Sequence, residues 1–473
     1  MTILQGEQLT LSQDTAYDSL EIAGTLIING SVKIKVENDM RLLATGVIDG
    51  TGRSSYGPGA RGVGTNVGPG APDNCGYSRG GGSHGGRGGG YHSNDCTSDE
   101  YVYGDLFAPV TMGSGGEAEC ANCARGGAAL HLQVSGELLL NGTIKVDGDY
   151  GANPESNDGA YVGQYSGGSG GSAWIEAGVL SGGGGVVSVV GGKGYQSYGG
   201  GGGGGGRIAL YCGLSTYAMG GAPTLSASGG MGYYYQSNWA DGGPGTVYVD
   251  CGGMRRTLLV DSEGKASGYD ASGDPFTMYL SATSSNYSFG SVRLRGARLA
   301  LNVSALSPSL AIGQVSLESS SALTLWSGSL SSAEVVVDEV LGDGSGSLTV
   351  ESGVVLEVEQ MQVAPLDSMT IRAGSEVLSG ATLGVQSGSL DLDGALRGAR
   401  TLWVGGGGAL ELTPNATHNL TLLQLNATDA RVTLPWDDTF ELETIAVDAG
   451  TLRVRGEVVV RATTLTVGAD GVI

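Results

Sequence analysis

The sequence predicts an all-β fold: a parallel β-helix, or β-solenoid, with long glycine-rich loop insertions in its N-terminal half. Three observations predict it. Short segments that alternate aliphatic and polar residues recur about every 21 residues from residue 291 onward, which is the mark of a repeat architecture. Four strands of the N-terminal half align on a longer version of the same phrase. Glycine-rich excursions separate them, the extreme case being the eight glycines from Gly199 to Gly206. No segment carries helical periodicity with start and stop signals.

Residues 1–50 read as the first solenoid rungs. They lead into Val47-Ile48-Asp49-Gly50-Thr51-Gly52, the earliest strand that runs directly into glycine. Residues 51–127 form the longest insertion, glycine-rich, without a strand pattern, and holding Cys75, Cys96, Cys120 and Cys123. A stretch of that length is either disordered or an ordered loop tied by its own cross-links, and the four cysteines favour the tied loop. Cys120-Ala-Asn-Cys123 has the C-x-x-C spacing of metal and redox sites, and His84 and His92 lie in the same insertion. A zinc site would want a second such pair or converging histidines, so disulfides are the expectation and no metal is assigned.

Residues 128–255 carry the glycine-rich repeats. The strands Leu130-His-Leu132-Gln-Val134, Ala173-Trp-Ile175-Glu-Ala177, Ile208-Ala-Leu210-Tyr-Cys212 and Val247-Tyr-Val249-Asp-Cys251 align at spacings of 43, 35 and 39 residues. The first three are each followed by a second strand running into glycine: Ile144-Lys-Val146, Val187-Ser-Val189 and Leu225-Ser-Ala227. Cys212 and Cys251 end equivalent strands. If those strands stack directly, a separation of about 5 Å suits a disulfide between them. Within the glycine runs, extended or polyproline-II backbones can approach closely because no Cβ intervenes, and water or neighbouring loops would take their hydrogen bonds.

Residues 256–473 read as a regular solenoid. One series of strand ends runs Leu301, Leu325, Val350, Ile371, Leu392, Leu412, Leu434 and Val454. A second runs Leu317, Val337, Val358, Leu383, Val404, Leu425, Val447 and Val467. Two strands per rung follow. In Leu410-Glu-Leu412 the aliphatics point to one face and the carboxylate to the other, so stacked copies bury columns of aliphatics that no single rung could bury alone. The last residues, Leu465 to Ile473, have the form of a rung broken off before its next strand. The expected neighbour is further chain of the same protein or another copy end to end.

A net charge of −23 makes nucleic acid and anionic membrane surfaces poor partners, and no apolar stretch is long enough for membrane insertion as a helix. Sequons stand at Asn29, Asn141, Asn286, Asn302, Asn415, Asn419 and Asn426, and with six cysteines they favour an extracellular or cell-surface protein bearing N-linked glycans. No signal-peptide pattern opens the chain, so a segment of a longer precursor is expected. The stretch Asp147 to Asp158 has the composition of a calcium loop, but Gly151 stands where an oxygen ligand belongs. No cofactor is expected, with calcium the alternative. Tyr233-Tyr-Tyr235 with Trp239, and Tyr195 with Tyr198, could cover glycine backbone or stack on sugars, and the first reading is preferred.

The segment Gly167-Gly-Ser-Gly-Gly-Ser-Ala173-Trp-Ile-Glu-Ala177, continuing through Val187-Ser-Val189 and the eight glycines to Arg207-Ile-Ala-Leu-Tyr211, resembles the glycine-rich β-helical repeats of very large secreted surface proteins of protists and bacteria, mastigoneme and adhesin-like proteins among them. The resemblance covers roughly residues 40 to 255 and implies a structural or adhesive role outside the cell, with no catalytic residues. The Gly-His-Gly and Arg-Ile-Lys signatures of β-helical polygalacturonases are missing, and Asp437-Asp438, the one paired aspartate, reads as a turn. The expectation is therefore a non-enzymatic structural glycoprotein, the shaft module of a surface filament or appendage. A glycan-binding adhesin is the first alternative and a β-helical polysaccharide lyase or hydrolase the second.

Overall fold

A computed structural model describes residues 1–56, 68–71, 80–90, 102–116, 124–150, 166–194, 200–217, 222–232, 241–252, 254–265, 277–281, 288–303, 309–327, 332–360, 366–380, 382–385, 388–413, 416–418, 420, 422–434, 439–454 and 459–472. These residues are all-β, with parallel sheets and no helix among them, and so none long and apolar enough to cross a membrane. The chain divides into two compact units, Met1–Met278 and Tyr279–Ile473.

In the first unit, one parallel ladder joins Gln8–Leu11, Thr25–Ile28, Val47–Asp49, Thr143–Lys145, Val186–Ser188 and Thr224–Ser226. Because side chains alternate along a strand, in-register pairing stacks like on like. Leu9, Leu26, Ile48, Ile144, Val187 and Leu225 form one inward column, of which the middle four are fully buried. A second ladder joins Ser31–Val36, Ala129–Leu140, Ser172–Gly182, Arg207–Tyr217 and Thr246–Cys251. Here Ile34, Leu132, Ile175, Leu210 and Val249 stack in register, so the four strands aligned from the sequence pair in that alignment. The long strands also reach a third ladder, where Leu20, Met40, Leu138 and Leu180 stand in register.

The parallel run then reverses. Thr246–Cys251 pairs antiparallel with Met254–Asp261, so the expectation of regular parallel repeats from residue 256 fails at its first strand. Cys251 faces Met254, and Gly252, which follows Cys251, has φ +51°, a conformation that glycine adopts freely.

The glycine segments form a core of their own. Residues 166–171, 189–194, 200–206, 227–230 and 242–245, with 81–89 and 113–116 from the long insertion, are mostly buried and lie outside the strands. Their hydrogen bonds repeat every three residues. Gly167 and Gly170 donate to Gly201 and Gly204, whereas Gly168 and Gly171 donate to Asp149 and Val146. Likewise Gly203 and Gly206 donate to Gly192 and Val189, and Gly242 and Gly245 to Gly230 and Ala227. Three residues per turn is polyproline-II symmetry, which aims successive N–H groups at different neighbours around the segment. Residues 202–206 thereby bond to segments near 82–89, 170, 189–192, 230 and 243. Neighbouring main chain, rather than water, satisfies these groups, and a segment without side chains is what permits the approach.

The described parts of the insertion 51–127 join this core. Its four cysteines lie outside the described residues, and the described parts are held by main chain and a buried polar cluster. His84 is fully buried and donates from Nδ1 to the Gly170 carbonyl at 2.8 Å, so its Nε2 accepts from Thr111 Oγ1 at 2.8 Å. Arg207, also buried, donates to the Tyr103 carbonyl and to Thr246 Oγ1. Burial lowers the pKa of Arg207 to about 10, leaving it charged at neutral pH, with the Asp105 carboxylate supporting the charge.

In the second unit, Leu299, Leu323, Leu348, Met369, Leu390, Leu410, Val432 and Leu452 stack in consecutive register, none more than 4 % exposed. Each such side chain withdrawn from water contributes ~1.5–3 kcal/mol. The first series of strand ends pairs in the predicted register from Leu301 through Leu412 and from Leu434 to Val454. The second series mixes ladders. Ile312, not Leu317, stands opposite Val337, and Val358 stands opposite Ser379 while Leu383 begins another ladder with Leu402. Three parallel ladders, not two, carry this region.

Candidate functional site

The ladder that begins with Gln8–Leu11 ends, strand after strand, on one side of the first unit. Ser12 follows Gln8–Leu11, Asn29-Gly30-Ser31 follows Thr25–Ile28, Thr51 to Ser55 follow Val47–Asp49, and Asp149 lies four residues beyond Thr143–Lys145. These corners and Arg125 line a cleft of about 860 Å3. Main-chain hydrogen bonds fix the corners to one another: Gly30 N donates to Arg53 O, Ser54 N to Gly126 O, and Asp149 N to Arg125 O. Gly52 has φ +60°, and a Cβ there would stand 2.8 Å from Asp149 Cβ, so this corner accepts glycine alone.

The cleft is polar and carries more positive than negative charge, on a chain whose net charge is −23. Arg53 and Arg125 flank the Asp149 carboxyl. Burial pushes that carboxyl above the usual aspartate range, while a hydrogen bond from Tyr150 N and the two guanidinium groups oppose the shift. Arg53 Nη1 also donates to Asn29 Oδ1 at 3.5 Å. Around these charges stand four serine hydroxyls and Thr51, with no aromatic ring among the described residues of the lining. Such a set can hold an anion by charge-assisted hydrogen bonds and, beside it, a hydroxylated molecule by neutral ones.

Sequence reasoning did not find this site. Arg53 and Arg125 are remote in the chain, and only the fold brings them together. Of the sequons, Asn29 lies in the cleft wall. Asn141 stands in the turn after Ala129–Leu140, where its Oδ1 accepts from Gly183 N at 2.8 Å. Asn302 ends the strand Arg298–Asn302 half-buried, and Asn426 belongs to the strand Leu422–Leu434. Asn286, Asn415 and Asn419 lie outside the described residues, as do Cys75, Cys96, Cys120, Cys123, His92, Asp437-Asp438, Tyr195, Tyr198, Tyr233-Tyr-Tyr235 and Trp239.

Cys212 and Cys251 stand directly opposite each other in neighbouring strands, Cα atoms 4.5 Å apart and sulfurs at disulfide distance. In the stretch from Asp147 to Asp158, Asp147 Oδ1 accepts from Ser188 Oγ at 2.5 Å and from Val190 N at 2.7 Å, and residues 151–158 lie outside the described part. Among the described residues no three His, Cys, Asp or Glu side chains converge as a metal site.

One further constellation has the form of a nucleophile and its base. Lys265 Nζ donates to Ser228 Oγ at 2.6 Å, and Ser228 Oγ lies 3.1 Å from Glu263 Oε2. Burial lowers the Lys265 pKa, against the pull of the Glu263 and Asp241 carboxylates. Ser228 is fully buried, however, and Lys265 also bonds the Gly229 carbonyl at 3.0 Å. The arrangement clamps the turn at 262–265 onto the glycine core and offers no approach to the hydroxyl.

The chain matches no protein-family model, no curated protein and no solved structure.

Proposed function

We propose that the chain is a β-helical shaft module of an extracellular filament or appendage, a structural glycoprotein decorated with N-glycans. The observation that carries this reading is the register itself. Like residues stack on like through eight consecutive strands of the second unit, and glycine main chain packs on glycine main chain in the first. Such a core is built by repetition along one direction, and its lateral faces are left to solvent and glycans. Leu465 and Val467 continue buried columns through Ile445 and Val447 yet are 55 % and 47 % exposed. A further strand of the same chain, or of a copy, would stack there.

Two experiments test the reading. Electron micrographs of the chain secreted from a eukaryotic host are expected to show rods or filaments, and isolated globular particles would count against it. Glycopeptide mass spectrometry is expected to find N-glycans at one or more of Asn29, Asn141 and Asn302; empty sequons throughout would remove the glycoprotein part. The second reading, a glycan-binding adhesin, is favoured by the polar cleft at Arg53 and Arg125.

A further inference from the structure

We propose that Asn141 carries an N-linked glycan whose first N-acetylglucosamine seats on the glycine corner 182–185 and acts there as part of the fold. This rests on the reading of the chain as an extracellular glycoprotein and gives one of its glycans a seat and a task.

The sequon Asn141-Gly142-Thr143 is held rigidly. Asn141 N and Gly142 N both donate to Leu42 O, at 2.9 and 3.1 Å, and Thr143 N donates to Gly46 O at 3.0 Å. The side chain is fixed as well, because Gly183 N donates to Asn141 Oδ1 at 2.8 Å. A main-chain N–H only donates, so the amide atom facing it is the oxygen and Nδ2 lies on the other arm. Among the described residues Nδ2 has no hydrogen-bond partner. Glycosylation uses that arm alone. Nδ2 gives up one proton and forms a bond to C1 of the first sugar, while the C1–O bond to the diphosphate of a lipid-linked oligosaccharide donor breaks and the diphosphate leaves with the electron pair. Oδ1 takes no part, so the bond from Gly183 N is kept.

The corner supplies the seat. Three of its four glycines are needed by the chain itself. Gly182 has φ +127°, and a Cβ there would stand 2.4 Å from Leu140 O. Gly184 has φ +103°, and a Cβ on Gly185 would stand 2.6 Å from Leu140 Cγ. Gly183 has neither reason: its φ is not left-handed, and nothing among the described residues lies within 4 Å of the Cβ it lacks. It is nevertheless the residue that holds the Asn141 amide, so a side chain on it would project beside the first sugar. Gly183 and Gly184 are exposed, and their peptide groups can donate to and accept from the acetamido and hydroxyl groups of a sugar. Because the amide is already ordered, little conformational entropy is lost when the sugar seats. Two other sequons are placed differently. Asn29 Oδ1 accepts from the Arg53 side chain at 3.5 Å in the cleft wall, and Asn302 ends a strand opposite Trp326.

The test uses the full chain secreted from a eukaryotic host. Glycopeptide mass spectrometry is expected to find Asn141 occupied. Hydrogen exchange is then read on the folded glycoprotein before and after treatment with a peptide N-glycosidase, which removes the glycan and leaves at position 141 an aspartate that still accepts from Gly183 N. Peptides covering 182–188 are expected to exchange about threefold faster or more once the sugar is gone, the protection worth one exposed hydrogen bond, and those covering 207–212 to stay unchanged. Gly183→Leu, whose side chain takes the place of the sugar, is expected to abolish that difference while leaving Asn141 occupied, since the sequon is intact. An empty Asn141 beside another occupied sequon overturns the proposal and leaves the glycoprotein reading standing, whereas a chain with every sequon empty removes both. Equal exchange at 182–188 before and after removal overturns it, as does an undiminished difference in Gly183→Leu.

Discussion

Replacing Gly205 by alanine adds one methyl group to a core that has no room for it. The new Cβ would stand 1.8 Å from the Ala227 carbonyl oxygen and 2.5 Å from Gly245 N, where real Cβ contacts are essentially never below 3.0 Å. One neighbour must therefore retreat by more than 1 Å. Neither is free to do so singly, because Gly245 N donates to Ala227 O at 2.7 Å, and Gly205 itself donates to Gly243 O and accepts from Gly86 N. Overpacking costs ~1–3 kcal/mol, and each of two buried main-chain hydrogen bonds broken adds ~1–3 kcal/mol. The sum, about 3–9 kcal/mol, is comparable to the whole stability of a typical domain.

The control is Gly90→Ala, adjoining the buried segment 81–89 but with nothing within 4 Å of its added Cβ and no unusual φ. It is expected to be neutral or to stabilise by up to ~1 kcal/mol through the unfolded state. Urea midpoints give the energies. Hydrogen exchange read on peptides covering 166–171, 189–194 and 200–206 gives the location, since these amides are expected to be as protected as strand amides despite lying outside strands. If Gly205→Ala falls within 1 kcal/mol of Gly90→Ala, or the glycine amides exchange freely in the parent chain, the main-chain core is refuted.

Three further outcomes follow from the same packing. Peptide mapping without reductant is expected to recover Cys212 joined to Cys251, and the double substitution to serine to cost ~4 kcal/mol, the closure entropy of a 39-residue loop. Leu390→Ala, in the middle of the second unit's buried column, is expected to cost ~2–5 kcal/mol in thermal or chemical unfolding, against less than ~0.5 kcal/mol for the outward-facing Asp391→Ala beside it. His84 is neutral in the fold because burial and Arg207 depress its pKa from 6.5 to about 3, while in the unfolded chain it takes up a proton near pH 6.5. The folded state thus binds fewer protons between those values, and stability falls as pH falls from 6.5 toward 3. Compared with His84→Gln, the parent chain is expected to lose its advantage over that window by at most ~1.4 kcal/mol per pH unit; a pH-independent difference refutes the assignment.

The strands were legible because their information is carried by side chains. Alternation in Leu410-Glu-Leu412 fixes which residues face inward, and the same alternation twenty residues earlier, in Leu390-Asp-Leu392, fixes what they stack upon. That signal marks a strand but not its ladder, which is why the series through Leu317 and Leu383 crossed from one ladder to another. The hairpin at 246–261 has a local signal in the sequence, Gly252-Gly253 between two apolar stretches, which the aligned repeat obscures. The hydrogen-bond partners of the glycine segments had none: Gly167 and Gly168 are the same residue to any pattern, yet they donate to Gly201 and Asp149 in different directions. The cleft was hidden for a related reason. Its charged residues come from positions 53, 125 and 149, brought together only by how the glycine segments between them pack.

That dependence makes the cleft an outgrowth of the glycine core, with a consequence that stability alone does not have. Gly168 N donates to Asp149 O, and Asp149 N donates to Arg125 O, so two of the three charged residues are the outermost links of the main-chain network. A Cβ on Gly168 would stand 2.0 Å from Arg125 O and would push directly on the residue that presents its guanidinium. A Cβ on Gly242 would clash equally, 2.0 Å from Gly203 O, but against a segment with no part in the cleft. Gly168→Ala and Gly242→Ala are therefore expected to lower the urea midpoint alike. At a temperature where both remain folded, only Gly168→Ala is expected to loosen the cleft wall, read as faster hydrogen exchange on peptides covering 124–150. Equal exchange there in the two variants would mean that Arg125 is positioned independently of the glycine layer. The chemistry of this chain would then be separable from the repetition that builds it.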